Sequence, residues 1–352
     1  MRILLIGPYW FGGWTESVIR ALKQHDCEVE VFYYTKTPSK DVAKGVTSFF
    51  RLSLPLPIRQ MFWFLVMGRE IDRNIIRLAE SFQPDLVMVL KGEIVLPKTI
   101  VKLKRLKSKP VIVNWWVDNP IYQNEKYKWL IFPHCVPEYD QIFVFDYAYF
   151  EPLRRQGAKK ITFLPCAADP VQYHPEMLTA EQRRLFGSNL CFIASFYNAR
   201  GELIAPFLDI PDIAIWGGGW SEFLDMAGIK DTQKIVRGEY LPIEDVNRAY
   251  QAATVVLNSH HPQTKHAGLN SRAFEIPASG GVQLTDYVTG MEELLLPGKE
   301  VLTYRTPSEG AEIVSELIKD PTTRNRIAKA GHERVMAMHT YFHRMQTIFD
   351  SI

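Results

Sequence analysis

The chain reads as an α/β protein, built from two βαβ domains that face each other across a cleft. Three observations predict this. Short apolar, β-branched runs alternate with helical stretches from the first residues to about Thr303. A run of prolines and small residues, Leu164-Pro165-Cys166-Ala167-Ala168-Asp169-Pro170, followed by His174-Pro175, interrupts that alternation and marks a linker. The 352 residues exceed one simple core and suit two domains of ordinary size.

Arg2 to Ile6 is the opening strand, and Gly7 to Gly13 is a glycine-rich loop. Thr15 is placed to cap a helix reaching about Gln24, and Glu28 to Tyr34 is the second strand. The loop is not G-x-G-x-x-G, and no acid follows where a dinucleotide ribose needs one, so a dehydrogenase fits poorly. Gly12 and Gly13 either allow a ligand, an acceptor or a donor sugar, to approach closely or simply make a tight turn. Leu86 to Leu90 is a strand, Pro97 starts a helix through about Leu106, and Val111 to Trp116 is the next strand. It ends in Val117-Asp118-Asn119-Pro120, and open α/β sheets bind ligands beyond the carboxyl ends of their strands. Asp118 is therefore either a general base or hydroxyl-orienting acid, or the head of an Asx-turn before the proline. Gln141 to Phe145 and Ile161 to Leu164 complete a sheet of roughly six strands, with a helix near Tyr147 to Gln156 between them.

The second half starts a new cycle. Leu190 to Ala194 is a strand, and Arg200 stands at the start of the helix after it, either a phosphate clamp or a solvated surface residue. Ile213 to Trp216 ends in Gly217-Gly218-Gly219, which lets a backbone approach a ligand or a neighbouring element. Glu244 to Ala252 is a helix, and Thr254 to Asn258 is a buried strand. Val282 to Thr285 and Glu300 to Thr303 are further strands, and Ser308 to Lys319, Pro321 to Met338 and Tyr341 to Phe349 are helical.

Between two of these strands lies the stretch Lys265 to Gly281, a loop and then a helix opening near Asn270. A strand, a loop and a helix start place backbone N–H groups and the positive helix end beside a ligand, which suits an anion. Lys265, His266 and Arg272 add cationic or hydrogen-bonding groups at that mouth, and Glu275 lies on the same helix face as Arg272. Glu275 either accepts hydrogen bonds from the hydroxyls of a ribose or sugar, or pairs with Arg272 on a surface helix. The first alternative describes a sugar-nucleotide pocket.

Composition narrows the classes. Hydrophobic residues at 47% and charged residues at 23% make a globular chain, and a net charge of +2 leaves no electrostatic footprint for nucleic acid. Cys27, Cys135, Cys166 and Cys191 are scattered without a C-x-x-C pair, which fits a reducing cytoplasm. Arg2 to Ile6 is too short for a signal-peptide core, and no apolar run approaches a membrane span. Met61 to Met67, between Arg59 and Arg69, is a buried helix face, an acceptor-binding wall or a peripheral contact with the inner face of a membrane. Trp10, Trp14, Phe62, Trp63, Trp115 and Trp116 suit stacking on sugar rings, contact with a lipid carrier, or a core. There is no Asp-x-Asp pair, and His260, His261 and His266 lack matching carboxylates or cysteines, so neither a metal nor a cofactor is expected.

With these residues in view, the chain resembles the GT-B glycosyltransferases, and within them the CgeB-like group. The resemblance rests on Gly268-Leu269-Asn270-Ser271-Arg272-Ala273-Phe274-Glu275, on Ala278-Ser279-Gly280-Gly281, on His339-Thr340 with Arg344, and on Trp116 to Pro120. It covers most of the chain and is strongest from about Gly238 onward. It implies a Rossmann-like acceptor domain over 1–168, a Rossmann-like nucleotide-sugar donor domain over 169–338, and a C-terminal helix over 339–352 that crosses back to the first domain. It implies that Glu275 holds the donor ribose and that Arg200, Lys265, His266 and Arg272 face the diphosphate. Asn270 belongs to the same donor-binding set, and Gly238 to Tyr240 lie near the base. Asp118 becomes the catalytic or acceptor-orienting acid. The implied reaction moves a sugar, hexosyl-like, from a nucleoside diphosphate to a hydroxyl of a saccharide, lipid-linked or protein acceptor. A nucleotide-sugar epimerase and a non-catalytic nucleotide-sugar-binding protein are the alternatives. One departure stands out: many retaining members carry a second glutamate eight residues before the position of Glu275, and here that residue is Ala267. Inversion and retention both stay open.

Overall fold

The computed structural model describes residues 1–9, 13–35, 56–121 and 131–352, with the side chains of residues 56–67 outside that description. The chain divides into two compact units, Met1–Pro165 with Arg344–Ile352, and Cys166–His343.

In the first unit, β1 (Arg2–Gly7) is buried from Ile3 onward, as a central parallel strand covered on both faces must be. α1 (Trp14–Gln24) turns Trp14, Val18, Ala21 and Leu22 inward, the spacing of one helix face. Its entry depends on two glycines. Gly13 sits at a left-handed φ of 62°. At Gly7 a Cβ would lie 2.7 Å from the Thr15 hydroxyl oxygen. Thr15 does not cap the helix as its position suggested. It lies inside the first turn, and its hydroxyl donates to the Pro8 carbonyl at 2.6 Å, closing the loop.

β2 (Glu28–Tyr33), α2 (Leu56–Phe82), β3 (Leu86–Leu90), α3 (Pro97–Leu103), β4 (Val111–Trp116), α4 (Phe132–Cys135), β5 (Gln141–Val144), α5 (Phe150–Arg155) and β6 (Ile161–Phe163) follow. α3 stops short of Leu106 because the chain tightens: the Arg105 N–H bonds the Lys102 carbonyl at 3.0 Å and the Leu106 N–H the Leu103 carbonyl at 3.1 Å. The strands form a six-stranded sheet, β2-β1-β3-β4-β5-β6, with every pairing parallel. Leu4, Ile6, Val87, Val89, Ile112 and Val144 pack with Ile71 and Ile75 of α2. The described tryptophans of this unit, Trp14, Trp115 and Trp116, are buried. Trp115 is fully buried, donates its Nε1–H to the Leu164 carbonyl at 3.2 Å and meets Trp14 edge-on at 5.5 Å. Trp116 packs on Phe132. Trp10 and the side chains of Phe62 and Trp63 lie outside the described residues.

The second unit contains α6 (Ala180–Phe186), β7 (Ser188–Ile193), α7 (Asn198–Ile204), β8 (Ile213–Trp216), α8 (Trp220–Met226), α9 (Thr232–Ile235), β9 (Val236–Gly238), α10 (Ile243–Ala252), β10 (Ala253–Asn258), α11 (Arg272–Ala278), β11 (Gln283–Asp286), β12 (Leu302–Tyr304), α12 (Pro307–Lys319) and α13 (Pro321–Met338). Its sheet also has six strands, all parallel, in the order β12-β11-β10-β7-β8-β9. Leu190, Phe192, Val255, Leu257 and Leu284 form its core with Phe207 and Val314.

α14 (Tyr341–Phe349) carries the chain back to the first unit. The Arg344 Nε–H donates to the Pro165 carbonyl at 2.9 Å, and the Gln141 amide donates to the Ser351 hydroxyl at 3.1 Å. Phe349 meets His25 edge-on at 5.3 Å. His339 is buried, and its Nε2 bonds the Leu294 carbonyl at 2.9 Å. The His339-Thr340 and Arg344 motif thus anchors the crossing. All four cysteines are free thiols, and no described helix is long and apolar enough to cross a membrane.

Candidate functional site

In the second unit the chain begins at β7, runs outward through β8 and β9, then returns to add β10, β11 and β12 on the other side. The connections leaving β7 and β10 diverge. Their carboxyl ends therefore mark the switch point where open α/β sheets take their ligands.

Arg200 and Arg272 come to that point from its two sides. Arg272 opens α11 after β10, and its Nη1–H donates to the carbonyl of Ile193, the last residue of β7, at 3.0 Å. Arg200 lies in the first turn of α7. Its Nη1–H donates to the Ser195 carbonyl at 2.6 Å, and its guanidinium stands 4.4 Å over the Tyr197 ring. Burial, and then the neighbouring Arg272 charge, pull the Arg200 pKa down to about 10. Its Nε is buried without a partner. Two guanidiniums of like charge are thus held together by backbone carbonyls and not by carboxylates, a field that an anion would relieve.

Glu275 lies one turn along α11 and makes no ion pair with Arg272, so the surface-pair alternative does not describe this helix. The residue keeps part of its surface open, yet burial of its carboxyl pushes the pKa up to about 7, against the Ser271 hydrogen bond and the Arg272 charge. Asn270 has a structural task. Its amide pairs reciprocally with the fully buried Asn258 at 3.0 Å in both directions, donates to the Ser259 carbonyl at 2.9 Å, and accepts the Ala273 N–H at 3.1 Å. That set ties the end of β10 to the first turn of α11.

Lys265 and His266 are exposed in the loop between, with His266 Nε2 3.9 Å from the Glu293 carboxylate. Gly238 closes β9, and its carbonyl accepts the Gly217 N–H at 2.9 Å, with Tyr240 exposed just beyond. The triple glycine after β8 serves a neighbouring loop: a Cβ at Gly217 would lie 2.1 Å from the Ala194 carbonyl oxygen. His260 bonds Asp286 at 2.9 Å, which holds that carboxyl below its ordinary range against the opposing effect of burial. Among the described residues no three His, Cys, Asp or Glu side chains converge as a metal set.

In the first unit Asp118 follows β4, at the carboxyl edge of the sheet. The Asx-type bond here belongs to Asn119, whose Oδ1 accepts the Ile121 N–H at 2.7 Å. Asp118 instead forms an ion pair with Lys91, which follows β3 and lies 3.7 Å from Glu93. Gly13 lies at the start of α1, and Gly12 lies outside the described residues.

Sequence reasoning passed over Lys91, Tyr197 and Asn258. Lys91 carried a signal, a cation directly after a fully apolar strand and before a glycine. Tyr197 carried a local signal too, three residues before Arg200 at the head of the same helix, whereas Asn258 carried none, since its partner lies 12 residues away beyond the end of the strand.

Residues 200–350 match the family described as Glycosyl transferase-like, a span that holds Arg200, Arg272 and Glu275. Spore protein CgeB of Bacillus subtilis (strain 168) is 24% identical over 273 residues, covering 74% of this chain and 81% of that protein. Among solved structures, sucrose-phosphate synthase (tll1590) from Thermosynechococcus elongatus superposes with a TM-score of 0.69 at 13% identity, covering 100% of this chain and 98% of that one. Anabaena Alr3699/HepE, in complex with UDP and glucose, gives a TM-score of 0.65 at 13% identity, covering 100% and 99%. The chain has the GT-B fold, and it is similar to the glycosyl transferase-like family over residues 200–350 and to spore protein CgeB over most of its length.

Proposed function

We propose that the protein transfers a sugar from a uridine diphosphate sugar to an acceptor hydroxyl, with the donor held by the second unit and the acceptor received by the first. The observation that carries this reading is the Arg200–Arg272 pair at the switch point of the second sheet. The difficult event in such a transfer is departure of the diphosphate, which gathers negative charge. Fixed guanidiniums stabilise that charge as it develops, with no reorganisation at the moment of reaction. This chemistry needs no metal. Lys265 and His266, exposed in the adjoining loop, add charge and a hydrogen bond at the phosphates. Glu275 accepts the ribose hydroxyls, and Gly238 to Tyr240 border the base. The uridine assignment draws on the UDP bound by Alr3699/HepE, whose fold this chain shares.

Asp118 of the first unit is the acid that orients the acceptor hydroxyl and takes its proton as the new glycosidic bond forms. The hydroxyl oxygen attacks the anomeric carbon, the bond to the diphosphate breaks, and the diphosphate leaves with that electron pair.

A thermal-shift screen with UDP, GDP, dTDP, CMP and their sugars tests this, because a ligand that binds only the native state raises its melting point. UDP and a UDP-sugar are expected to raise Tm. A flat response to every nucleotide would remove the donor site from the account.

A further inference from the structure

Asp118 does not stand alone at the carboxyl edge of the first sheet. Lys91 is bent into the left-handed region, φ 56°, which L side chains rarely adopt. Its N–H donates to the Trp115 carbonyl at 2.9 Å, and its own carbonyl accepts the Asn114 amide at 2.9 Å. Asn114 and Trp115 belong to β4, the strand that delivers Asp118. The ammonium and the carboxylate are therefore hung from the same strand end. Only 10% of the Lys91 side chain is exposed, and its ammonium is shared between Asp118 and Glu93, itself 13% exposed.

We propose that Lys91 is the positioning residue for Asp118, fixing it as an ionised hydrogen-bond acceptor for the hydroxyl that receives the sugar. The inference rests on the reading of Asp118 given above. Asp118 and Glu93 both sit against this one ammonium. Without it the two carboxylates lose their shared counter-charge, which favours the protonated form of Asp118. A protonated Asp118 cannot receive the proton of an incoming hydroxyl. The buried carboxyl of Asp146 acts on Tyr149 together with Asp118, and two tyrosines stand by Asp118, Tyr34 after β2 and Tyr149 before α5. Burial raises both of them, so they stay neutral while the carboxyls titrate.

The test is a carboxyl carbon-13 NMR titration of aspartate-labelled full-length protein, with Asp118→Asn identifying the resonance. Lys91→Met keeps the length of the side chain and removes the charge. It is expected to raise the Asp118 midpoint by about one pH unit or more, and Lys91→Arg is expected to return it. Lys91→Gln supplies the same readout should the methionine variant fail to fold. A midpoint that does not move in a folded Lys91→Met or Lys91→Gln protein overturns the assignment, whatever becomes of the donor site. Undiminished turnover of UDP-glucose in Asp118→Asn overturns the Asp118 reading beneath it, so the two failures are told apart.

Discussion

The Arg272 guanidinium donates to the Ile193 carbonyl at 3.0 Å, joining the first residue of α11 to the last residue of β7. One end of the guanidinium is spent on the protein, and in the proposed function its remaining N–H groups serve the diphosphate. Lysine cannot divide itself in this way, because its donors radiate from one nitrogen. Arg272→Lys is therefore expected to weaken UDP binding by about tenfold or more, near 1.4 kcal/mol, while keeping the charge. Calorimetry on the folded variant checks it, and an unchanged Kd would show that the fork geometry is irrelevant.

Arg200 should show a trade between stability and binding. Its Nε is buried without a partner, and the Arg272 charge lowers its pKa. Removing a strained cation relieves the ligand-free fold even as it damages an anion site. Arg200→Ala is expected to melt no lower than the wild type and to bind UDP about tenfold more weakly. A lower melting point with intact binding would make Arg200 a structural residue.

Glu275 gives a pH signature with a definite sign. Its pKa is raised to about 7 by burial, so the folded value lies above the unfolded one. Between the ordinary carboxylate range and about pH 7 the folded chain keeps a proton that the unfolded chain has released. Stability is then expected to fall as pH rises through that window, by on the order of 2 kcal/mol, and to lose this slope in Glu275→Gln. Denaturant titrations at the two ends of the window measure it, and parallel pH profiles for the two proteins would contradict it.

Asn270→Ala acts on the fold. It strands the fully buried amide of Asn258 and removes the acceptor for the Ala273 N–H. A loss of about 1–3 kcal/mol in denaturant unfolding is expected. A variant that unfolds like the wild type and loses only nucleotide affinity would return Asn270 to the ligand.

Much of the fold was legible because parallel strands covered on both faces must be apolar. β1, β3 and β10 show it directly in Ile3 to Ile6, Leu86 to Leu90 and Val255 to Leu257. The Arg272–Glu275 helix was legible for a different reason. Arg272 and Glu275 are three residues apart on one turn, so a local spacing carries their relation. The rest depends on contacts between distant segments. Arg200 needs Arg272 beside it, Asp118 needs Lys91, and Asn270 spends its amide on Asn258, and no local pattern encodes these pairings. Thr15 failed as a cap for the same reason, because its hydroxyl is taken by the loop that precedes it.

The central claim, that the second unit grips a nucleotide sugar by its diphosphate, is tested most directly by calorimetric titration of UDP-glucose into the wild type and into an Arg200→Ala, Arg272→Ala double variant. The expected result is saturable binding to the wild type that weakens by about a hundredfold or more in the double variant, whose circular dichroism matches the wild type. No binding to the wild type, or equal affinity in the two proteins, would contradict it.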